Sequence, residues 1–154
     1  MRLTEFLDFE SIRVGLGVSS KRQLLTMLGQ IAGAHLGLNP AAIVDSVIER
    51  ERLGSTGFGN GVAIPHGKID GLTSIYAMLV RLTDPIDYKA IDGTPVDLVF
   101  LLLSPPDAGA LHLKALAAVS RTIRNGPTLE KMRGARSRDA LAAVLMASEE
   151  RDAA

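Results

Sequence analysis

Between Val96 and Leu103 the chain reads Val-Asp-Leu-Val-Phe-Leu-Leu-Leu, an apolar run interrupted only by Asp97. A run that does not alternate belongs to a strand covered on both faces, so the sheet that contains it needs helices above and below. Pro105-Pro106 halts it. Ile75 to Leu82 is rich in strand formers and alternates loosely, Ile12 to Leu16 reads as a short edge strand, and Val62-Ala63-Ile64 as a short buried one that Pro65 ends. Asp84-Pro85 and Asp92-Gly93 bracket an irregular segment with Tyr88 and Ile91.

Helices fill the intervals. Ser19 and Ser20 offer an N-cap for a helix to about Leu36, with Leu24, Leu28, Ile31 and His35 on its core side and Gly37 closing it. Asn39 caps a second that starts at Pro40, buries Ile43, Val47 and Ile48, and ends in Glu49-Arg50-Glu51-Arg52. Asp107 or Gly109 starts a third, on which His112, Leu116, Val119 and Ile123 share the sheet-facing side. Pro127 opens a short helix through Arg133, and Ser137 caps a last one that turns Leu141, Val144 and Leu145 inward before a frayed tail from Glu149. The fold expected is α/β, one domain over residues 1–154.

The least ordinary residues lie between Gly54 and Lys68: Gly-Ser-Thr-Gly-Phe-Gly-Asn-Gly-Val-Ala-Ile-Pro-His-Gly-Lys. Four glycines within eight residues argue against a regular element and let backbone N–H groups approach a ligand. On that reading Gly54, Ser55, Thr56, Gly57, Gly59, Asn60 and Gly61 form a phosphate-facing loop. His66 follows Pro65 just past a strand's carboxyl end, the edge at which open α/β sheets bind ligands. The spacing is neither a P-loop nor a dinucleotide fingerprint. Arg50 and Arg52 either answer the macrodipole of the preceding helix or fold over the same pocket, where a guanidinium matches phosphate oxygens. His112, in its helix's first turn, either rims the core or adds a second imidazole there.

Composition narrows the function. With 154 residues the chain can bury roughly two thirds of its unfolded surface. It has no cysteine, which removes disulfides and thiolate metal sites and agrees with a cytoplasmic setting. No signal peptide or membrane span is recognisable. Seventeen basic and 17 acidic residues balance and aromatics are 4%, which argues against nucleic acid. From Lys114 to Arg138 seven basic residues face a single acid, Glu130: a solvated helix face or a docking surface. Metal-ligand spacing, a nucleophile elbow and kinase elements are all absent. What remains is histidine as nucleophile, with no metal and no cofactor. Imidazole near neutrality offers one unprotonated nitrogen to a phosphoryl group while the other N–H is held by a neighbour.

The stretch Gly54–Lys68 resembles the signature of the enzyme IIA domains of the fructose/mannitol class in the bacterial phosphoenolpyruvate-dependent phosphotransferase system, most of all their nitrogen-regulatory form. Arg50-Glu51-Arg52-Leu53, Asp92-Gly93-Thr94-Pro95-Val96-Asp97-Leu98 and His112-Leu113-Lys114-Ala115-Leu116 extend the resemblance over about Leu3 to Ala147. It implies a mixed sheet of about five strands flanked by helices on both faces. It also implies that His66 takes a phosphoryl group from an HPr-like phosphocarrier protein, supported by Arg50 and His112. Nitrogen-regulatory members act by phosphorylation state on protein partners, including potassium transport and its sensor kinase. Leu111, where relatives carry a polar residue, is a departure. Two alternatives stand beside this one: a sugar-specific enzyme IIA that feeds a separate enzyme IIB, and a binding module that is never phosphorylated.

Overall fold

The computed structural model describes residues 1–153, with side-chain surroundings through Arg151. Strands β1 (Arg13–Leu16), β2 (Gly57–Gly59), β3 (Val62–Ala63), β4 (His66–Lys68), β5 (Tyr76–Ile86) and β6 (Val96–Ser104) form one mixed sheet. Helices α1 (Lys21–Leu36) and α2 (Pro40–Arg52) cover one face; α3 (Ala110–Arg124), α4 (Gly126–Gly134) and α5 (Arg138–Ala153) cover the other. β6 is central, as its unbroken apolar run requires. Leu98, Phe100 and Leu102 face the α3–α5 layer; Val99, Leu101 and Leu103 face the α1–α2 layer.

The strand order is β1-β5-β6-β3-β2, with β4 also paired to β6, so the sheet has six strands in five positions. β3 and β4 are two halves of one line. Val62 pairs with Leu98 and His66 with Leu102 in the same parallel register, and Leu102 N donates to Pro65 O at 3.0 Å across the gap. The expectation that Pro65 ends the strand is corrected here. Proline withholds its own donor but keeps its acceptor, so the ladder skips a rung and His66 opens β4 rather than following a strand. β5 likewise runs through Asp84-Pro85 to Ile86. Its β1 partner ends at Leu16 opposite Leu82, so Pro85 interrupts no ladder on that side.

The helix starts follow their caps. Ser20 Oγ accepts from Gln23 N, Asn39 Oδ1 from Ala41 N and Ser137 Oγ from Ala140 N, while Gly37 closes α1 at φ 68°. Two expectations fail. His35 is not core-facing: α1 buries Leu24, Leu25, Leu28 and Ala32, and His35 lies at the surface with Nδ1 3.4 Å from Asp8 Oδ2. The tail does not fray at Glu149, because α5 continues to Ala153, Ser148 is buried, and Glu149 accepts from Thr4 N at 2.9 Å. Ala154, the end of that expected tail, lies outside the described residues.

Candidate active site

The glycine stretch folds as a hairpin. β2 pairs antiparallel with β3, Gly57 opposite Ala63 and Gly59 opposite Val62, through a turn in which Asn60 (φ 56°) and Gly61 (φ 81°) both take left-handed backbone. Four of its backbone donors are spent within the protein. Gly54 N goes to Glu51 O, Thr56 N to Glu51 Oε2, Gly57 N to Ser55 Oγ and Asn60 N to Asp92 Oδ2. Gly61 O accepts from Asp97 N and Leu98 N, and Arg133 ties Asn60 O to the Asp97 carboxylate. The turn borders a hollow lined also by Pro85, Thr94, Pro95, Asp97 and Arg133. The expected phosphate loop is thus a hairpin at the sheet edge in which the N–H groups of Gly54, Thr56, Gly57 and Asn60 are already bonded within the protein and have nothing left to offer.

Past Ile64 the edge opens. β2 reaches only as far as Ile64, whose N–H goes to Thr56 O, and β4 pairs with β6 alone. Around this bare edge lies a recess of about 370 Å³, lined by Ser46, Glu49, Arg50, Leu53, His66, Gly67, Lys68 and His112. Size does not single it out. A hollow of about 480 Å³ beside Phe6, Ile75, Pro105 and Leu111 is larger. What distinguishes the recess is its side chains.

His66 is gripped at both ring nitrogens. Nδ1 lies 2.8 Å from Ile64 O, and Arg50 Nε donates to Nε2 at 3.2 Å. A carbonyl only accepts, so Nδ1 carries the proton and Nε2 holds the lone pair. Arg50 is itself steadied by Gly54 O, 2.9 Å from Nη1. On the far side the His112 ring stands with its centroid 5.5 Å from that of His66, inclined by 51°. His112 Nδ1 lies 2.6 Å from Ser104 Oγ at the end of β6. Burial lowers the His66 pKa from its ordinary value; the Ile64 carbonyl works against this and the charge of Arg50 adds to it. Burial first, then the His66 and Lys68 charges, also lower His112. Both rings are therefore held toward the neutral form.

Helix α2 sets the spacing. Ser46 and Arg50 share one face at an i, i+4 interval, and Ser46 Oγ donates to Lys68 O at 2.9 Å, pinning β4 beneath Arg50. Gly67 permits the approach, since a Cβ there would lie 2.6 Å from Ser46 Oγ. Two neutral imidazoles, one with a directed lone pair, beside a guanidinium in an open recess suit the receipt of a phosphoryl group.

A family model described as phosphoenolpyruvate-dependent sugar phosphotransferase system, EIIA 2 matches residues 5–148. The chain belongs to this family. Among its EIIA relatives, a nitrogen regulatory protein of Bradyrhizobium diazoefficiens is 45% identical over 94% of this chain and 95% of that protein. The Escherichia coli K12 nitrogen regulatory protein is 35% identical over 97% and 92%. The crystal structure of IIA-Ntr from Neisseria meningitidis superposes with a TM-score of 0.86 at 33% identity, covering 92% of this chain and 97% of that one. The Escherichia coli mannitol IIA shares the fold alone, at 16% identity and a TM-score of 0.74 over 90% and 97%.

Of the EIIA residues picked from sequence, His66, His112 and Arg50 converge. Gly54 takes part through its carbonyl, and Ser55, Thr56, Gly57, Gly59, Asn60 and Gly61 do not line the recess. Ser46, Lys68, Ser104 and the Ile64 carbonyl escaped notice. Only the i, i+4 spacing of Ser46 and Arg50 signalled any of them. His35 belongs to a separate surface group in which its ligand atom and those of Asp8 and Glu10 lie within 4.8 Å of one another. Among the described residues no helix is long and apolar enough to cross a membrane.

Proposed function

We propose that this EIIA domain accepts a phosphoryl group on Nε2 of His66 from an HPr-like phosphocarrier in the cytoplasm, and regulates protein partners according to whether it carries that group. One observation carries the reading: Nδ1–H is committed to Ile64 O while the Nε2 lone pair opens into the recess between Arg50 and His112.

In the transfer, Nε2 attacks phosphorus as the nitrogen–phosphorus bond of the donor's phosphohistidine breaks, and the bonding pair returns to the donor ring. Positive charge grows on the His66 ring and is stabilised by the Ile64 carbonyl. The Arg50 Nε–H, released from Nε2, turns to a phosphoryl oxygen. Where Ser104 O–H donates to His112 Nδ1, the His112 Nε2–H becomes a second donor to the group.

Intact-protein mass after incubation with phosphoenolpyruvate, enzyme I and the phosphocarrier tests this. One acid-labile phosphate on the native chain and none on His66→Ala is the expected result. No added mass on a folded native chain with an active donor leaves a binding module instead. Onward transfer to a fructose- or mannitol-type enzyme IIB points to a sugar pathway.

A further inference from the structure

Beneath the recess, one buried carboxylate collects more polar contacts than any catalytic group above it. The Glu51 side chain is 6% exposed and lies 2.8 Å from Lys21 Nζ. Its Oε2 accepts from Thr56 N at 3.2 Å; its Oε1 accepts from Tyr88 O–H at 2.9 Å and from Thr56 Oγ1. Tyr88 is fully buried, its oxygen 2.9 Å from Thr56 Oγ1, and Lys21 Nζ stands 4.2 Å from its ring centroid. Burial alone would raise the Glu51 pKa, but the donors of Lys21, Thr56 and Tyr88 outweigh it and keep the group an anion.

Two short paths lead from Glu51 to the two nitrogens of His66, one from its carboxylate and one from its backbone carbonyl. On the first, Glu51 fixes Thr56, Thr56 O accepts from Ile64 N at 3.0 Å, and Ile64 O holds His66 Nδ1. On the second, Glu51 follows Arg50 directly, and its carbonyl accepts from Gly54 N at 3.1 Å, which sets the Gly54 carbonyl that steadies Arg50 against His66 Nε2. We infer that Glu51, with Tyr88 and Thr56 as the donors to its carboxylate, is a positioning residue for phosphoryl transfer, fixing the tautomer of His66. This rests on the reading of His66 as the acceptor. Glu51 does not line the recess, so its effect belongs to the transfer step and not to partner affinity.

Glu51→Gln places an amide N–H₂ among donors and removes the charge; Tyr88→Phe removes one donor and little volume. With the complete chain, enzyme I and the phosphocarrier, Glu51→Gln is expected to slow transfer at saturating carrier at least tenfold with an unchanged KM. Tyr88→Phe is expected to slow it severalfold. Nitrogen-15 spectra of the imidazoles, taken without any donor, give an independent reading: His66 leaves its single Nδ1–H tautomer in Glu51→Gln and keeps it in the native chain. A native chain that takes no phosphate defeats the acceptor reading while the spectra still decide the positioning. Folded Glu51→Gln with native transfer rate and native His66 tautomer overturns the proposal. Should Glu51→Gln fail to fold, Tyr88→Phe decides by the same two readouts.

Discussion

Residues 54–61 and 62–68 form one glycine-studded stretch, yet the two halves do opposite things. In the first, two carboxylates and a hydroxyl take up the N–H groups of Thr56, Gly57 and Asn60, and the Asn60-Gly61 turn is clasped by Arg133 and Asp97. In the second, β4 has a partner on one side only, and His66 presents its lone pair across the bare side. The hairpin protects the sheet edge up to Ile64 and stops. Glycine content marks where backbone can come close, and the hydrogen bonds already made decide whether it comes close to protein or to a ligand.

The sharpest way to break that contrast is to mutate its open half. Arg50→Ala is expected to slow phosphate acceptance by about 10³-fold and His112→Ala by about 10²-fold, the range for removing donors aimed at a charged transition state. Rapid-quench transfer assays check both, and a native rate in a folded variant removes that residue from the mechanism.

A pH series probes the same half more gently. Because His66 and His112 are lowered from 6.5, the folded protein binds fewer protons than the unfolded chain just below that pH. Transfer should therefore persist below pH 6.5, falling only as the folded-state pKa is crossed. Stability should decline with acidification over the same window. Denaturant titrations should show a shallower decline for His66→Ala; an equal decline would mean that this ring contributes nothing to the slope.

The covered half should respond in the opposite sense. A Cβ on Gly61 would lie 2.6 Å from Arg133 Nη2 and 3.3 Å from Pro95 O, in left-handed backbone. Gly61→Ala should cost about 1–2 kcal/mol of stability, visible by denaturant titration, and leave the transfer rate native. A rate loss as deep as that of Arg50→Ala would mean the hairpin belongs to the site after all.

Much of this was legible in the residues. β6 followed from its apolar run and the helix starts from Ser20, Asn39 and Ser137, whereas for Arg50 and His112 the residues left two readings open and it was the family resemblance that implied their meeting with His66. Less legible were features that depend on partners far along the chain. The fate of the glycine donors depended on Glu51 and Asp92, and the continuation of β3 into β4 on the register with β6. Tyr88, read as part of an irregular segment, is fully buried because its hydroxyl meets Glu51 from 37 residues away. His35 misled through periodicity: the buried stripe of α1 runs through Leu28 and Ala32 toward Leu36, and His35 lies beside it, where Asp8 rather than apolar packing receives it.

The proposed acceptor is Nε2 of His66, with Nδ1 staying bound to the Ile64 carbonyl. Nitrogen-15 and phosphorus-31 NMR of the chain with labelled histidine, recorded before and after phosphorylation, tests it most directly. Coupling of phosphorus to His66 Nε2, with an Nδ1–H signal retained, is the result expected. Phosphate on Nδ1, on His112 or on no histidine would contradict it.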